Sequence, residues 1–184
     1  NGGIVRQGKW GDVLKLKNGH ARFLLHSAYR TSLTLPTDFS ALRMPEVAAS
    51  GNVHFQRVSR SIDRFTSSFN KGDYQTLADE FVEHGVRLVS GLPDVFVGRD
   101  SIRRSFGEEW SGEIDPASGV VLSASVLKVL PINNQYVIGA GIWRLKSPQG
   151  KLLDGGQWGN VFQVMGNEVR LLQECAGSGS LTRP

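Results

Sequence analysis

The last third of the chain is a nearly continuous series of β-type segments, and this feature restricts the fold more than any other. Four runs alternate in polarity or are rich in β-branched residues, and they span residues 120–132, 135–146, 156–165 and 168–174. Short turns separate them at 133–134, 148–150 and 166–167. Runs joined by turns of this length pair as neighbouring antiparallel strands. The sequence therefore predicts an antiparallel meander in this part of the chain.

Three helices are predicted ahead of the meander. The first has apolar residues at helical spacing, namely Val58, Ile62, Phe65 and Phe69. Asp73 is suited to cap a second helix, which is predicted to end at His84-Gly85. Two short strands, 86–90 and 95–97, precede a third helix whose apolar side is formed by Ile102, Phe106 and Trp110. This order indicates an α+β domain in which three helices cover one face of a curved antiparallel sheet.

Residues 12–25 are predicted to form a β-hairpin around Asn18-Gly19, because both residues tolerate the positive φ of a tight type I′ turn. Pairing across this turn makes three cross-strand pairs, which are Leu14 with Phe23, Lys15 with Arg22, and Leu16 with Ala21. The Lys15–Arg22 pair brings like charges together, which is unfavourable. The other two pairs place apolar side chains on one face of the hairpin.

The chain is predicted to have three parts. Residues 1–54 are interpreted as a basic N-terminal extension, in which the hairpin is followed by a connecting arm. Residues 55–176 form the main domain, and residues 177–184 form a flexible tail. The net positive charge of the chain comes from the extension, which has seven Lys and Arg against three Asp and Glu. The remaining residues carry fourteen charges of each sign.

Composition argues against several classes of function. The cations of the extension are scattered rather than clustered, as is typical of a solvated surface, so nucleic-acid binding is not expected. No apolar run approaches the roughly 20 residues of a membrane-spanning helix. Cys175 is the single cysteine, which excludes an internal disulfide and suits a reducing compartment such as the cytoplasm. His20, His26 and His54 lack metal-ligand spacing, so no metal site is expected.

The main domain carries a series of short motifs. A helix is followed by the break Phe69-Asn70-Lys71-Gly72-Asp73, a second helix, a strand at 86–89, a turn at Pro93 and a third helix beginning Gly98-Arg99. Further along, residues 156–162 read GQWGNVF. This order resembles the nuclear transport factor 2-like superfamily, and most of all its SnoaL-like branch, which includes polyketide cyclases and relatives of ketosteroid isomerase.

The resemblance implies a cone-shaped, cystatin-like α+β fold, in which the curved antiparallel sheet and the three helices enclose one deep pocket. It also implies a homodimer paired through the outer face of the sheet. Members of the superfamily include isomerases, dehydratases, cyclases and proteins without catalytic activity, so the fold alone does not decide the function. The sequence has no Gly-rich phosphate-binding loop, and no cofactor is expected.

Ketosteroid-isomerase chemistry needs a carboxylate base together with an oxyanion hole made by a tyrosine and a protonated acid. At the matching positions this sequence has Phe65 in place of the tyrosine, Val89 or Ser90 in place of the base, and Asn160 in place of the acid. None of these side chains supplies the required proton transfer. Chemistry of this type is therefore not expected.

Two other residues are candidates for catalysis. His84 is placed to act as a general base at the pocket mouth, although a histidine in the last helical turn before glycine also fits a purely structural role. Glu174 alternates with Gln173 along the last strand, so at most one of the two side chains points into the pocket. A buried Glu174 could serve as an acid or a base, but a solvated Glu174 is the favoured interpretation.

Six residues are predicted to line the pocket and to bind a flat apolar ligand, namely Phe65, Ser90, Trp110, Trp143, Trp158 and Asn160. The alternative for the aromatic residues is that they fill the pocket as core. The sequence therefore predicts a protein that binds a small hydrophobic molecule, with a cofactor-independent isomerase, cyclase or dehydratase activity as one form of this function. The competing prediction is a non-catalytic homodimeric association module.

Overall fold

The computed structural model of this 184-residue chain describes residues 8–18, 20–30, 53–92, 94–109 and 115–178. Within these ranges the strands are β1 (Gly8–Lys17), β2 (His20–Arg30), β3 (Phe81–Val89), β4 (Phe96–Val97), β5 (Val121–Pro131), β6 (Tyr136–Lys146), β7 (Leu152–Met165) and β8 (Glu168–Ser178). The helices are α1 (Val53–Asn70), α2 (Tyr74–Asp79) and α3 (Arg99–Glu109), and a short 3-10 turn follows at Pro116–Ser118. Strands β1 and β2 pair only with each other, and the other six strands form one sheet.

The six-stranded sheet has the order β4-β3-β8-β7-β6-β5. Strands β5 to β8 form the predicted meander, in which each strand is antiparallel to the next. However, β8 pairs in parallel with β3, so the sheet is mixed and the prediction of a purely antiparallel sheet is wrong. The cause is the topology of the sheet. The four strands of the meander reverse direction three times between β5 and β8, and β8 then runs beside β3 in the same direction as β3. The long crossover that a parallel pair needs is provided by α3 and the meander itself.

Helices α1 and α3 pack against the same face of this curved sheet. α1 crosses β5 and β8, while α3 contacts β3, β4 and α2. The apolar residues that predict these helices lie in the core, where Val58, Ile62 and Ile102 are buried. The α+β architecture predicted from the order of helices and strands is thus confirmed.

The Asn70-Lys71-Gly72-Asp73 segment joins α1, α2 and the sheet. The Asn70 side chain bonds both backbone groups of Leu122 on β5, since its amide donates to the carbonyl at 3.0 Å and its oxygen accepts the N–H at 2.7 Å. Gly72 has a φ of 69°, which glycine adopts without strain. Asp73 caps α2 by accepting hydrogen bonds from the hydroxyl and amide of Thr76, and these bonds lower the pKa of Asp73. The motif is therefore structural.

Helix α2 ends earlier than the sequence predicts. It stops at Asp79, and β3 begins at Phe81 rather than at residue 86. The Glu80 carbonyl accepts the Leu171 N–H at 2.8 Å, so pairing with β8 takes the chain into the sheet. The predicted helix end at His84-Gly85 is wrong, because these strand contacts outweigh the local helical pattern.

Strands β7 and β8 are both longer than predicted. β7 begins at Leu152 rather than at residue 156, and β8 continues to Ser178 rather than ending at residue 174. Gly156 of β7 pairs with Ser178, so the two extensions meet at the same end of the sheet. They add Asp154 and Ser178 to the regular sheet.

The predicted hairpin is confirmed with its three cross-strand pairs, Leu14–Phe23, Lys15–Arg22 and Leu16–Ala21. Asn18 has a positive φ of 52°, as the predicted turn requires. The hairpin packs against the outer face of the sheet, where Cys175 Sγ lies 4.0 Å from the Ser27 carbonyl oxygen. Burial there raises the pKa of Cys175 to about 11, so the thiol is not ionised at neutral pH.

Several sequence predictions fall outside the described ranges. They concern residues 31–52 of the arm, Trp110, and residues 179–184 of the tail. The boundaries of the three predicted parts of the chain, at 54 and 176, stay predictions. Of the helices that the structure describes, none combines the length and the apolar character needed to cross a lipid bilayer.

Candidate functional site

A cavity of about 530 Å³ lies between the inner face of the sheet and helices α1 and α3. Its wall takes alternate residues from the strands, because successive side chains of a strand point to opposite faces. Much of the lining is apolar and includes Phe65, Leu122, Trp143, Trp158, Leu171 and Ala176. The volume falls within the range of pockets that hold small molecules.

Five of the six residues predicted to line the pocket do line this cavity, namely Phe65, Ser90, Trp143, Trp158 and Asn160. They come from α1, from the end of β3, and from β6 and β7. The sixth residue, Trp110, lies outside the described residues. The structure therefore brings these five side chains together, while their binding of a ligand stays a prediction.

The aromatic side chains border the cavity and leave it open. The Trp158 indole N–H donates to the Ile142 carbonyl at 3.2 Å, which fixes the ring against β6. Gly141 makes room for this ring, because a Cβ atom at residue 141 would lie 2.4 Å from the indole. Phe65 meets Phe106 edge to face, with ring centroids 5.9 Å apart. These contacts hold the rings in the wall, where Trp158 belongs to the buried core and Phe65 and Trp143 pack against it.

One carboxylate of the wall, Glu174, is paired with a buried arginine. Arg87 Nε donates to Glu174 Oε2 at 2.8 Å, and the two side chains are 2% and 9% exposed. Arg87 Nη1 also donates to Ser105 Oγ at 2.9 Å, and its guanidinium lies over the Phe106 ring. The favoured interpretation of a solvated Glu174 is wrong, because β3 pairs with β8 in a register that sets Arg87 beside it. The pair contributes no net charge to the wall.

A second carboxylate, Asp154, has neutral partners. Its Oδ2 accepts the Ser178 hydroxyl at 2.8 Å, and its Oδ1 accepts the Gly155 N–H at 2.7 Å. The Ser178 N–H donates in turn to Ser90 Oγ at 2.8 Å. Burial raises the pKa of Asp154 above its ordinary value, although the two hydrogen bonds act in the opposite direction. A carboxyl group held in this way can exchange a proton with a bound molecule.

Three residues of the wall, Asp154, Ser178 and Arg87, were not predicted from the sequence. A signal for the first two exists in the alternation of the strands. Asp154 is an even number of residues from Trp158 on β7, and Ser178 is an even number from Glu174 on β8, so each pair points to the same face of the sheet. Longer predicted strands would therefore have placed Asp154 and Ser178 on the cavity side. The Gly155-Gly156 pair concealed the first extension, because glycine weakens a strand prediction. The alternation of β3 alone did not reveal which face Arg87 occupies.

His84, the other catalytic candidate, is exposed on β3 and does not belong to the cavity lining. Its predicted place in a last helical turn is wrong, since the chain already enters the sheet at Phe81. Within the described ranges, no group of three or more His, Cys, Asp or Glu side chains is close enough together to hold a metal ion.

The positions that match the ketosteroid isomerase residues have other contacts here. The Asn160 side-chain oxygen accepts the Cys175 N–H at 3.0 Å, next to the irregularity in the β7–β8 pairing. The Ser90 hydroxyl oxygen lies 2.9 Å from that of Ser178. Phe65 has no hydrogen-bonding group. None of the three can abstract a carbon-bound proton unaided.

Comparison with known proteins identifies the fold. No protein-family model matches the chain, and no curated protein matches it in sequence. A ketosteroid isomerase-like protein from Erwinia carotovora atroseptica has a similar structure, with a TM-score of 0.56 at 12% identity over 70% of this chain and 98% of that one. A nuclear transport factor 2-like protein with a cystatin-like fold from Novosphingobium aromaticivorans gives a TM-score of 0.57 at 14% identity, over 70% and 82% of the two chains.

A third similar structure comes from Xanthomonas campestris and is named for a calcium/calmodulin-dependent protein kinase II association domain. Its TM-score is 0.58 at 15% identity, over 75% of this chain and 95% of that one. The chain therefore has the cystatin-like fold of nuclear transport factor 2-like proteins, as the resemblance of its motifs predicts. Similarity at these identities establishes the fold and leaves the activity to be argued from the site.

Proposed function

We propose that this protein, with its nuclear transport factor 2-like fold, binds a small and mostly apolar molecule in the cavity between α1, α3 and the sheet. The observation that carries the proposal is the open volume of about 530 Å³ bordered by aromatic rings. Burial of an apolar ligand against such a wall is favourable, at about 25 cal/mol per Å² of surface removed from water. The few polar groups of the wall would orient the ligand.

We propose that the protein is SnoaL-like but lacks the catalytic residues of ketosteroid isomerase. Its similarity to a ketosteroid isomerase-like protein is a similarity of fold. Turnover of the ligand would need a side chain that moves a proton, and Asp154 is the group of the wall best suited to it. A cofactor-independent isomerase, cyclase or dehydratase activity stays a prediction, and Asp154 is the residue at which to test it.

Calorimetric titration with a neutral two-ring probe, 2-naphthylmethanol, tests the binding proposal. The wild-type protein should bind the probe with one site per chain. Ala176 lines the cavity, so Ala176→Phe should fill part of the volume and weaken binding about tenfold or more. The matched control is Ala117→Phe on the exposed 3-10 turn, which should leave the affinity unchanged. Absence of binding by the wild type, or binding that Ala176→Phe leaves intact, would contradict the proposal.

A second function, self-association, is favoured by the outward face of the hairpin. Four large apolar side chains of this face are between 49% and 76% exposed, namely Trp10, Leu14, Leu16 and Phe23. We propose that a second copy of this chain covers them. The outer face of the sheet is already covered in part, because a Cβ atom at Gly159 would lie 2.7 Å from Ser27 Oγ of the hairpin. The hairpin therefore lies between this part of the sheet and a partner.

Sedimentation analysis over a range of concentrations tests this second proposal. The wild-type chain should form a dimer, and Phe23→Lys should weaken it about tenfold or more by placing a charge in the interface. Val97→Lys is the matched control, since Val97 is 61% exposed on β4 and does not belong to the hairpin. A wild-type chain that is monomeric at every concentration, or a dimer that is unaffected by Phe23→Lys, would exclude this interface.

A further inference from the structure

Asp154 lies in a mostly apolar wall, and the described residues give it no cationic partner. Its hydrogen-bond partners are the Ser178 hydroxyl and the Gly155 amide, and both are neutral. Among the described residues, no Lys, Arg or His forms an ion pair with it. A partly buried carboxylate loses hydration, and neutral donors restore only part of the lost free energy. The carboxylate thus lacks a counterion that the described part of the chain could provide.

Aromatic rings stand beside this carboxylate on the same face of the sheet. Asp154 is opposite Leu145 in the β6–β7 register, and Trp143, two residues before Leu145, is opposite Gly156. Trp158 follows on β7 with the same parity as Asp154. Diagonal neighbours on one face of a sheet are about 7–8 Å apart, so one small ligand can contact the carboxylate and a ring together. The faces of tryptophan rings attract cations.

The other charged side chains of the wall do not cancel the charge of Asp154. Arg87 on β3 is engaged with Glu174 on β8 at 2.8 Å. Glu108 on α3 also belongs to the lining and is exposed. Arg144 has the opposite parity to the cavity-side residues of β6, so its side chain leaves from the other face. Among the described residues of the wall, Arg87 is the single cation, and it is bonded to Glu174 rather than to Asp154.

We propose that the ligand of this cavity is an apolar molecule that carries a protonated amine, with its ammonium group on Asp154 and its apolar body against Trp143 and Trp158. This inference deepens the proposed function and rests on it. A carboxylate has about four acceptor sites, so it can accept from an ammonium group while keeping its bonds to Ser178 and Gly155. The new charge pair replaces lost hydration, while an anionic ligand is repelled.

Three probes of one shape test the inference by isothermal titration calorimetry. They are 2-naphthylmethylamine, which is a cation at pH 7, 2-naphthylmethanol, which is neutral, and 2-naphthoate, which is an anion. The wild-type protein should bind the amine about tenfold more tightly than the alcohol, and the carboxylate least tightly of the three. This order separates recognition of charge from recognition of the two-ring body.

Variants assign the preference to one side chain. Asp154→Asn keeps the shape of the wall and should lose the preference for the amine, so that it binds the amine and the alcohol with similar affinity. Asp100→Asn removes the same charge at a side chain of α3 that is 82% exposed, and it should leave the preference intact. In the wild type the preference should also fall as the pH is lowered through the pKa of Asp154, because protonation removes the anion.

The outcomes distinguish recognition of an amine from the underlying proposal that the cavity binds an apolar molecule. Equal affinity of the wild type for amine and alcohol, or a preference that survives Asp154→Asn, overturns the inference about the amine and leaves the proposed function in place. Failure of all three probes to bind overturns both. Retention of alcohol binding in Asp154→Asn shows that the variant is folded, so loss of the amine preference cannot then be attributed to unfolding.

Discussion

Two carboxylates, Glu80 and Asp154, have opposite surroundings in this structure. Glu80 lies where α2 meets α1 and β8, and its side chain is 3% exposed. It accepts hydrogen bonds from Arg64 Nε at 2.7 Å and from the Ser61 hydroxyl at 3.2 Å, and Arg170 Nη1 lies 3.8 Å away. These contacts raise the pKa of Arg64, chiefly through its hydrogen bond to Glu80. Asp154 in the cavity wall receives hydrogen bonds from neutral donors.

The difference separates a structural charge from one that is available to a ligand. Glu80 is matched by cations of the same chain and does not belong to the cavity lining. Asp154 is matched by a hydroxyl and an amide and borders open volume. Loss of the Glu80 charge leaves arginines without their negatively charged partner. Loss of the Asp154 charge removes the free-energy cost of holding a partly desolvated carboxylate. Replacing the carboxylate by an amide should therefore lower the free energy of unfolding at Glu80 and leave it unchanged or raise it at Asp154.

The largest effect is expected for Glu80→Gln. This change removes the charge that Arg64 contacts at 2.7 Å and should lower the free energy of unfolding by about 3 kcal/mol. Asp79→Asn is the matched control, because the adjacent Asp79 is 47% exposed and its pair with Arg99 is long, at 3.8 Å. The control should cost less than about 1 kcal/mol. Urea denaturation monitored by tryptophan fluorescence measures both free energies of unfolding. Equal losses of stability in the two variants would contradict the structural role of the Glu80 charge.

A smaller effect of opposite sign is expected for Asp154→Asn. Because the folded-state pKa of Asp154 is raised, its ionisation destabilises the fold above that pKa, and the penalty disappears as the pH falls towards the unfolded value near 3.8. At pH 7 the variant should be as stable as the wild type or more stable by up to about 1 kcal/mol, a figure limited by solvent screening.

The pH dependence gives this prediction its control. The stability difference between Asp154→Asn and the wild type should shrink as the pH falls through the folded-state pKa, and it should disappear below about 3.8, where the wild-type carboxyl becomes protonated in both states. Thermal unfolding at a series of pH values measures it. A variant that is destabilised at pH 7 by as much as Glu80→Gln would show that Asp154 is a structural charge after all.

The fold was largely predictable from local patterns. The hairpin pairs follow from Asn18-Gly19 and the alternation around it, and the meander follows from alternating runs joined by short turns. Asn70 and Asp73 form local contacts that fix the start of α2 and the approach of α1 to β5. The parallel pairing of β3 with β8 was not predictable in this way, because it joins segments far apart in the sequence.

The site was predictable in its aromatic part and at the neutral polar residues Ser90 and Asn160. Phe65, Trp143 and Trp158 lie where amphipathic patterns place the inner face. The charged groups were missed or misassigned, since their surroundings depend on distant segments. Glu174 is buried because Arg87, which is 87 residues earlier in the chain, pairs with it. Asp154 joins the wall because β7 and β8 extend together beyond the ends that either strand predicts alone.

The smallest effect is expected for Ser178→Ala. The Ser178 hydroxyl stabilises the charged form of Asp154 by a hydrogen bond of 2.8 Å, so its removal should raise the pKa of Asp154 further. Affinity for 2-naphthylmethylamine at pH 7 should rise by up to about threefold, because a carboxylate with one donor fewer gains more from the ammonium group. Ser67→Ala on the exposed side of α1 is the control and should have no effect. An amine affinity that is unchanged or lower in Ser178→Ala would contradict this effect.

Titration of the Asp154 carboxyl by carbon-13 NMR, in the free protein and with each probe, tests most directly whether this carboxylate is reserved for a cationic ligand. We expect a pKa above 3.8 in the free protein, a lower pKa with 2-naphthylmethylamine, and no such decrease with 2-naphthylmethanol. A pKa at or below 3.8 in the free protein, or one that bound amine leaves unchanged, would contradict this expectation.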